Sequence, residues 1–219
     1  MPPPSPPTEK LVVFTRYPQA GRTKTRLIPA LGAAGAAELQ RRMAEHAFRQ
    51  CRALAATRNV VLEVRYDDGG REQEARQWIP ACLPCGPQIE GTLGERMDHC
   101  ISAGFAEGMQ RVVVIGSDCP ALTPAILTRG FELLQEHDLV LGPARDGGCY
   151  LIGFSKPVCF GWHDIAWGTE RVLRQFLESA AELGLHWTLL PLLADIDRPE
   201  DLQTLAEVTN DFHIPVSDE

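Results

Sequence analysis

The ten residues RVVVIGSDCP, Arg111–Pro120, decide how the rest of the chain is read. Val112–Ile115 form an unbroken apolar, β-favouring run of the kind found in a strand covered on both faces. The run stops at Gly116-Ser117 and delivers one carboxylate, Asp118, into a turn that Pro120 stiffens. A buried strand cannot carry an unpaired carboxylate, but its C-terminal edge can, and the Gly-Ser step lets the chain turn there. Asp118 is therefore expected to project where the ligand of a parallel sheet sits. Its other role would be to cap the turn or the helix that Thr123-Pro124 begins. Thr123 followed by proline is itself a good helix start, which leaves Asp118 freer for other work.

The same punctuation recurs outward from this stretch. LVVF (11–14), VVLEVRY (60–66), DLVLGP (138–143), CYLIGF (149–154) and HWTLLP (186–191) read as strands. Helical composition covers 33–57, 93–109, 124–136 and 169–183, and a last helix starts at Pro199. Short strands alternating with helices imply right-handed crossovers and a mostly parallel sheet covered on both faces, an α/β layered fold. Residues 1–9 are Pro-rich and are expected to form a disordered or extended tail, with a single folded domain over 10–219. No period of 20 to 50 residues recurs, which excludes a repeat architecture.

Bulk composition narrows the function classes. A chain of 219 residues that is 44% hydrophobic can bury one sizeable core. The net charge is −8 and the cations are scattered, so no basic face for nucleic acid is built. No apolar run approaches the roughly 20 residues of a membrane span, and MPPPSPPTEK lacks the basic and apolar regions of a signal peptide. A soluble, cytoplasmic protein is expected. Seven dispersed cysteines suit reduced thiols rather than a disulfide framework. Cys82 and Cys85, in CLPC, have ligand spacing but no second half-site, and the six histidines share none.

Chemistry-bearing residues cluster just after the strands. RYPQAGRTKTRL (16–27) places Arg16, Arg22, Lys24 and Arg26 around Gly21. Backbone N–H groups near Gly21, with Lys24 and the forks of Arg16 and Arg26, would suit a polyphosphate; a solvated basic turn is the plain alternative. The spacing matches neither a Walker A loop nor GxGxxG. Asp146-Gly147-Gly148 is a hairpin signal, and two adjacent glycines also let a ligand approach the main chain, with Asp146 at the rim. In ADIDRPEDL (194–202), Asp195 and Asp197 lie two apart, so in extended chain they share a side. A hard divalent cation, Mg²⁺ held by these carboxylates and by substrate phosphates, would relieve their repulsion; the alternative has Asp197 capping the helix and Asp195 solvated. GTLGERM (91–97) would bring Gly91, Gly94 and Glu95 against a base or ribose, or would simply start a helix. In IAWGTERVL (165–173), Trp167 is a core side chain, the commoner fate of tryptophan, or a wall of an acceptor pocket.

These segments, in this order and at about this spacing over residues 10 to 208, resemble the bacterial radical-SAM/selenodomain-associated transferase 1 family. That family is a branch of the nucleotide-diphospho-sugar transferase superfamily with the GT-A fold. It is similar in turn to the guanylyltransferases of 2-phospholactate, phosphoenolpyruvate and the molybdenum cofactor. The resemblance implies a GT-A-like three-layer α/β/α sandwich with a mostly parallel central sheet. It makes Asp118 a metal-binding aspartate and catalytic residue, and Asp195 with Asp197 a second carboxylate site. It makes 16–26 the nucleotide-phosphate loop with Lys24 its key cation, and it puts Gly147 and Gly148 against the acceptor. One departure is that Asp118-Cys119-Pro120 stands where many glycosyltransferases carry DxD.

The expected function is transfer that depends on Mg²⁺ (or Mn²⁺), from a nucleoside triphosphate or nucleotide-sugar to a small acceptor, by nucleotidyl or glycosyl chemistry. Acceptor, base and oligomeric state stay open. The competing expectation is a non-catalytic nucleotide-binding protein that keeps the fold.

Overall fold

The computed structural model describes residues 6–208. Seven strands, β1 (Glu9–Arg16), β2 (Val61–Asp67), β3 (Cys85–Pro87), β4 (Arg111–Ile115), β5 (Leu139–Pro143), β6 (Cys149–Phe154) and β7 (Trp187–Leu189), form one sheet in the order β3-β2-β1-β4-β6-β5-β7. β6 runs antiparallel to both of its neighbours, β4 and β5, while the other pairings are parallel. Six helices accompany the sheet: α1 (Ile28–Ala55), α2 (Glu72–Trp78), α3 (Leu93–Ala106), α4 (Pro124–Leu133), α5 (Val172–Glu182) and α6 (Leu202–Val208). Short 3-10 turns occupy Thr25–Leu27 and Pro199–Asp201.

Period-two alternation in the central strands splits the core into two layers of side chains. Leu11, Val13, Val113 and Ile115 pack with Phe48 of α1, Ala75 of α2 and Phe131 of α4 on one face. Val12, Val112 and Val114 pack with Met97 and Ile101 of α3 and Phe176 of α5 on the other. Both faces of β1 and β4 are thus dry, which is why these strands read as unbroken apolar runs. The architecture is the expected α/β/α sandwich with a mostly parallel sheet.

β1 begins at Glu9, one residue inside the expected tail, because its side chain has partners; residues 1–5 and 209–219 lie outside the described residues. Burial alone would raise the Glu9 carboxyl, but the guanidinium groups of Arg58 and Arg111, each 2.8 Å from Oε1, outweigh it and leave the group below the usual carboxylate range. Lys10 is buried beside it on Glu63 and Glu107, at 2.6 and 2.8 Å.

Two elements were absent from the sequence expectation. α2 buries only Ala75, so it shows no apolar stripe, and β3 is a three-residue edge strand containing Gly86 and Pro87, both weak strand signals. α1 starts five residues early, at Ile28, with Pro29 in its first turn and a break at Gly32, where φ is 67°. The helix expected at 169–183 starts later, at Val172, and the one expected from Pro199 opens as a 3-10 turn before α6. Among the described residues no helix is long and apolar enough to cross a membrane.

The chain leaves β1 toward β2 and β3, then returns to place β4 on the other side of β1. At this reversal the connections above β1 and β4 part, and a crevice opens at their C-terminal ends. A small separate core fixes the far wall of that crevice. Ile196, fully buried, packs with Leu27, Ala36, Leu39, Met43 and Leu205. Ile196→Ala should cost about 2–4 kcal/mol in urea unfolding, against about 1 for Ile196→Val. Equal, small losses in both variants would show that this core does not anchor the segment.

Candidate active site

The loop after β1 turns back on itself through main-chain bonds. The N–H groups of Arg22 and Thr23 donate to the Gln19 carbonyl at 3.0 and 3.1 Å, as does Thr23 Oγ1 at 3.0 Å. This turn carries Lys24 inward in a left-handed conformation (φ 48°, ψ 43°), and no other described non-glycine residue has positive φ. Such a conformation is costly for a side chain with a Cβ and is typical of functional positions. The Lys24 side chain is 4% exposed. Its ammonium lies 3.0 Å from Asp118 Oδ2 and 3.6 Å from Asp197 Oδ1, and it donates to the Ile196 carbonyl at 2.7 Å. A buried ammonium needs acceptors, and these three supply them. The Ile196 N–H in turn donates to the Asp118 carbonyl at 3.0 Å, so the ends of three distant segments are locked together.

Both aspartates are free of capping duty. Thr123 caps α4 by accepting from Ile126 N at 3.3 Å. Asp201 accepts from the N–H groups of Asp197 and Arg198, at 3.0 and 2.7 Å, and so caps the 3-10 turn in place of Asp197. Asp197 also pairs with Arg26.

A cavity of about 520 Å³ lies over this cluster, walled by Arg16, Lys24, Asp118 and Asp197 together with residues that sequence reasoning did not single out. Thr15 and Ser117, at the ends of β1 and β4, share a hydrogen bond at 3.0 Å in its floor, and Gln40 reaches both from α1 at 3.4–3.5 Å. Arg96 donates to Gly91 O and Gln88 Oε1, each at 3.0 Å, and with Arg16 flanks Asp67 at 3.5 and 3.3 Å. The strand-end hydroxyls were visible as positions just past an apolar run; Gln40 and Arg96, one helix in from their loops, gave no such signal.

A second cavity, about 620 Å³, shares Asp197 as a wall with the first and is lined by Arg26, Asp146 and Asp195. Ile196 points into the core, so Asp195 and Asp197 do share a side, as two-residue spacing requires. Burial pushes the Asp195 carboxyl up to about 6, helped by the charges of Asp146, Asp201 and Asp118.

Of the remaining expected residues, Gly91 lines the first cavity, while Gly21, Gly94, Glu95, Gly147, Gly148 and Trp167 stand off the walls of both. A Cβ at Gly94 would lie 2.5 Å from the Trp162 carbonyl oxygen, so this glycine is required by packing of α3. Glu95 completes the capping box of α3, with Oε2 2.7 Å from Thr92 N. Trp167 stacks on Trp162, with ring centroids 6.3 Å apart, and donates to the Trp162 carbonyl at 3.3 Å, the core alternative. At Gly147 (φ 87°) a Cβ would stand 2.3 Å from the Glu170 carbonyl oxygen: the backbone that approaches is the protein's own. Asp146 caps the hairpin through Gly148 N at 2.7 Å while facing the second cavity. Gly21 serves the turn with φ 78°. Arg16 and Arg26 divide between the two cavities rather than sharing one polyphosphate site.

No group of three or more His, Cys, Asp or Glu among the described residues is arranged as a closed metal cage, so Asp118, Asp195 and Asp197 do not form one. Mg²⁺ does not need one, since it is commonly held by one or two carboxylates plus substrate phosphates. Asp118 and Asp197 meet that requirement: hard oxygen donors, converging on one ammonium, 48% and 35% exposed toward the cavity.

The raised Asp195 carboxyl has a measurable consequence. Its folded value, about 6, lies above its unfolded value near 3.8, so its contribution to stability is complete below pH 4 and is lost as pH rises through 6. In chelator, Asp195→Asn should abolish that part of the pH dependence and, after allowance for solvent screening, be more stable than the parent at pH 7 by about 1 kcal/mol. Parallel unfolding profiles for the two proteins between pH 4 and 7 would refute the assignment.

A crystal structure from Desulfovibrio desulfuricans G20, of a protein assigned provisionally as a nucleotide-diphospho-sugar transferase, is similar with a TM-score of 0.82 at 27% identity, over 94% of this chain and 93% of that one. CMP:2-keto-3-deoxy-manno-octonic acid synthetase in complex with CTP shares the fold at a TM-score of 0.57 and 10% identity, over 91% of this chain and 97% of that one. Rv0371c of Mycobacterium tuberculosis H37Rv in complex with manganese does so at 0.51 and 15%, over 92% and 100%. No curated protein matches the chain. Residues 34–169, which include Asp118 and Asp146 but neither the Lys24 loop nor Asp195–Asp197, match the family described as uncharacterized protein conserved in bacteria (DUF2064), and the chain belongs to that family.

Proposed function

We propose that the protein is a divalent-metal-dependent transferase that uses a nucleoside triphosphate or nucleotide-sugar and hands part of it to a small acceptor. The observation that carries this reading is the convergence of Lys24, Asp118 and Asp197 beneath one cavity at the sheet's switch point, with a second cavity across Asp197. Support comes from the fold shared with CMP:2-keto-3-deoxy-manno-octonic acid synthetase, solved with CTP, and with the Desulfovibrio protein. The resemblance to the radical-SAM/selenodomain-associated transferase 1 family is the finer form of the same proposal.

In the nucleotidyl version the nucleotide lies in the first cavity, its base and ribose toward Gln88 and Arg96 and its phosphates over Lys24. Lys24, released from one carboxylate by the incoming phosphate, bonds a non-bridging oxygen of the α-phosphate. An acceptor oxygen from the second cavity attacks that phosphorus in line; the new O–P bond forms, the bond to the β-phosphate oxygen breaks, and pyrophosphate leaves. Arg16, half-exposed at the rim, steadies the departing charge. Asp118 with Asp197 or Asp195 would hold Mg²⁺ or Mn²⁺, which supplies charge neutralisation at the phosphate oxygens. The protein's own task is positioning and electrostatic stabilisation, which needs no nucleophilic side chain. The description of the Desulfovibrio protein favours a second, glycosyl version, in which the same residues hold a departing nucleoside diphosphate.

Asp118→Asn and Lys24→Ala should each lower turnover by about 10²–10³-fold while leaving the fold intact by circular dichroism. Pyrophosphate release from each NTP with Mg²⁺ and small phosphorylated acids, run beside UDP- and GDP-sugar hydrolysis, reads the effect and separates the versions. Nucleotide binding with no turnover in any of these assays would favour a non-catalytic binding protein.

A further inference from the structure

The two carboxylates suited to a divalent ion already have a counter-ion of the protein's own. Of the four oxygens of Asp118 and Asp197, three face a cation: Asp118 Oδ2 and Asp197 Oδ1 lie 3.0 and 3.6 Å from the Lys24 ammonium, and Asp197 Oδ2 meets Arg26. The fourth, Asp118 Oδ1, has the Ser117 hydroxyl at 3.5 Å. Lys24 and Arg26 therefore cancel the formal charge of the pair. Around the whole first cavity the sum is again level, since Arg16, Lys24 and Arg96 stand against Asp67, Asp118 and Asp197. Asp195 lines the second cavity and not this one.

Neutralised carboxylates are a poor site for a bare divalent cation. Such an ion sheds water reluctantly, and a neighbouring ammonium in a half-buried cluster repels it far more strongly than it would in bulk water. A polyphosphate reverses both effects, because it adds negative charge to a cavity that holds none in excess and offers its own oxygens to Lys24. The parts differ in how freely they can respond. The carboxylates sit on segments tied together by the Ile196 N–H on the Asp118 carbonyl at 3.0 Å and by the burial of Ile196. Lys24 brings its charge on a flexible four-carbon stem, so the ammonium can turn to a phosphate without moving the chain.

We propose that Lys24 is an exchangeable counter-ion: it keeps Asp118 and Asp197 neutralised in the free protein, and the pair takes a divalent cation only when a polyphosphate has drawn the ammonium away. This rests on the metal-dependent transferase reading and adds an order of binding to it. Metal and nucleotide then strengthen each other's binding by the same factor.

Binding of Mn²⁺ to the nucleotide-free full chain, read by loss of the free ion's electron paramagnetic resonance signal, tests this without any turnover. Lys24→Met removes the charge and keeps an apolar stem. It should bind Mn²⁺ at least about tenfold more tightly than the wild type, and Asp118→Asn added to it should abolish the gain. Equal affinities in the wild type and Lys24→Met overturn the inference. So does a gain that survives Asp118→Asn, since the ion then lies elsewhere. The wild type gives a check that does not depend on how the variant folds: a crystal soaked in Mn²⁺ alone should show no anomalous peak on Asp118 or Asp197. A peak there with the ammonium still on both carboxylates overturns the inference. Calorimetric titration with ATP, CTP, GTP and UTP, each with and without Mn²⁺, separates this inference from the reading beneath it. Mn²⁺ held as tightly without nucleotide as with it, in a protein that takes nucleotide, refutes the exchange and leaves the transferase. A gain in Lys24→Met in a protein that takes no nucleotide upholds the counter-ion and removes the transferase reading instead.

Discussion

A single buried ammonium organises the functional end of this molecule. Lys24 stands 3.0 Å from Asp118, 3.6 Å from Asp197 and 2.7 Å from the Ile196 carbonyl, so the first loop, the end of β4 and the segment before the last helix meet on one nitrogen. Reaching that point requires a left-handed backbone that costs about 1–2 kcal/mol and desolvation of a strongly hydrated cation. Those costs are offset only because all three acceptors are in place together, and Ile196 holds its segment there by packing between Leu27 and Leu39.

The same arrangement separates the cavity over Lys24 from its neighbour across Asp197. Ile196 points inward while Asp195 and Asp197 point outward, and Asp197 becomes a partition with Lys24 on one side and the second cavity on the other. A transferase needs to hold two substrates separately yet end to end across one reacting atom, and a shared carboxylate wall does this without further elements. Helix capping by Thr123 and Asp201 is part of the design, because it releases Asp118 and Asp197 from the duties their positions would otherwise impose.

The parts of this account that were legible in the sequence are those where one physical demand dominates. Val112–Ile115 must be a buried strand because nothing in it tolerates water, and Asp118 must lie beyond its end because a carboxylate cannot be buried within it. Asp195 and Asp197 share a side through the geometry of extended chain alone. Legibility failed where two demands write the same residues. Gly94 and Gly147 mark close approach, but a sequence does not say whether the approaching atom belongs to a ligand or to Trp162 and Glu170 of the same chain. Glu95 is identical in a capping box and in a ribose contact. Gln40 and Arg96 acquire their places at the first cavity only through tertiary placement, which no local pattern encodes.

The central claim, that Lys24, Asp118 and Asp197 form the phosphate and metal end of a nucleotide site, is tested most directly by crystallography of the protein soaked with Mn²⁺ and a nucleoside triphosphate. The account predicts an anomalous peak on Asp118 together with Asp197 or Asp195, and Lys24 drawn onto a phosphate oxygen. A bound nucleotide whose phosphates lie away from Lys24, with manganese elsewhere or on none of these aspartates, would contradict it.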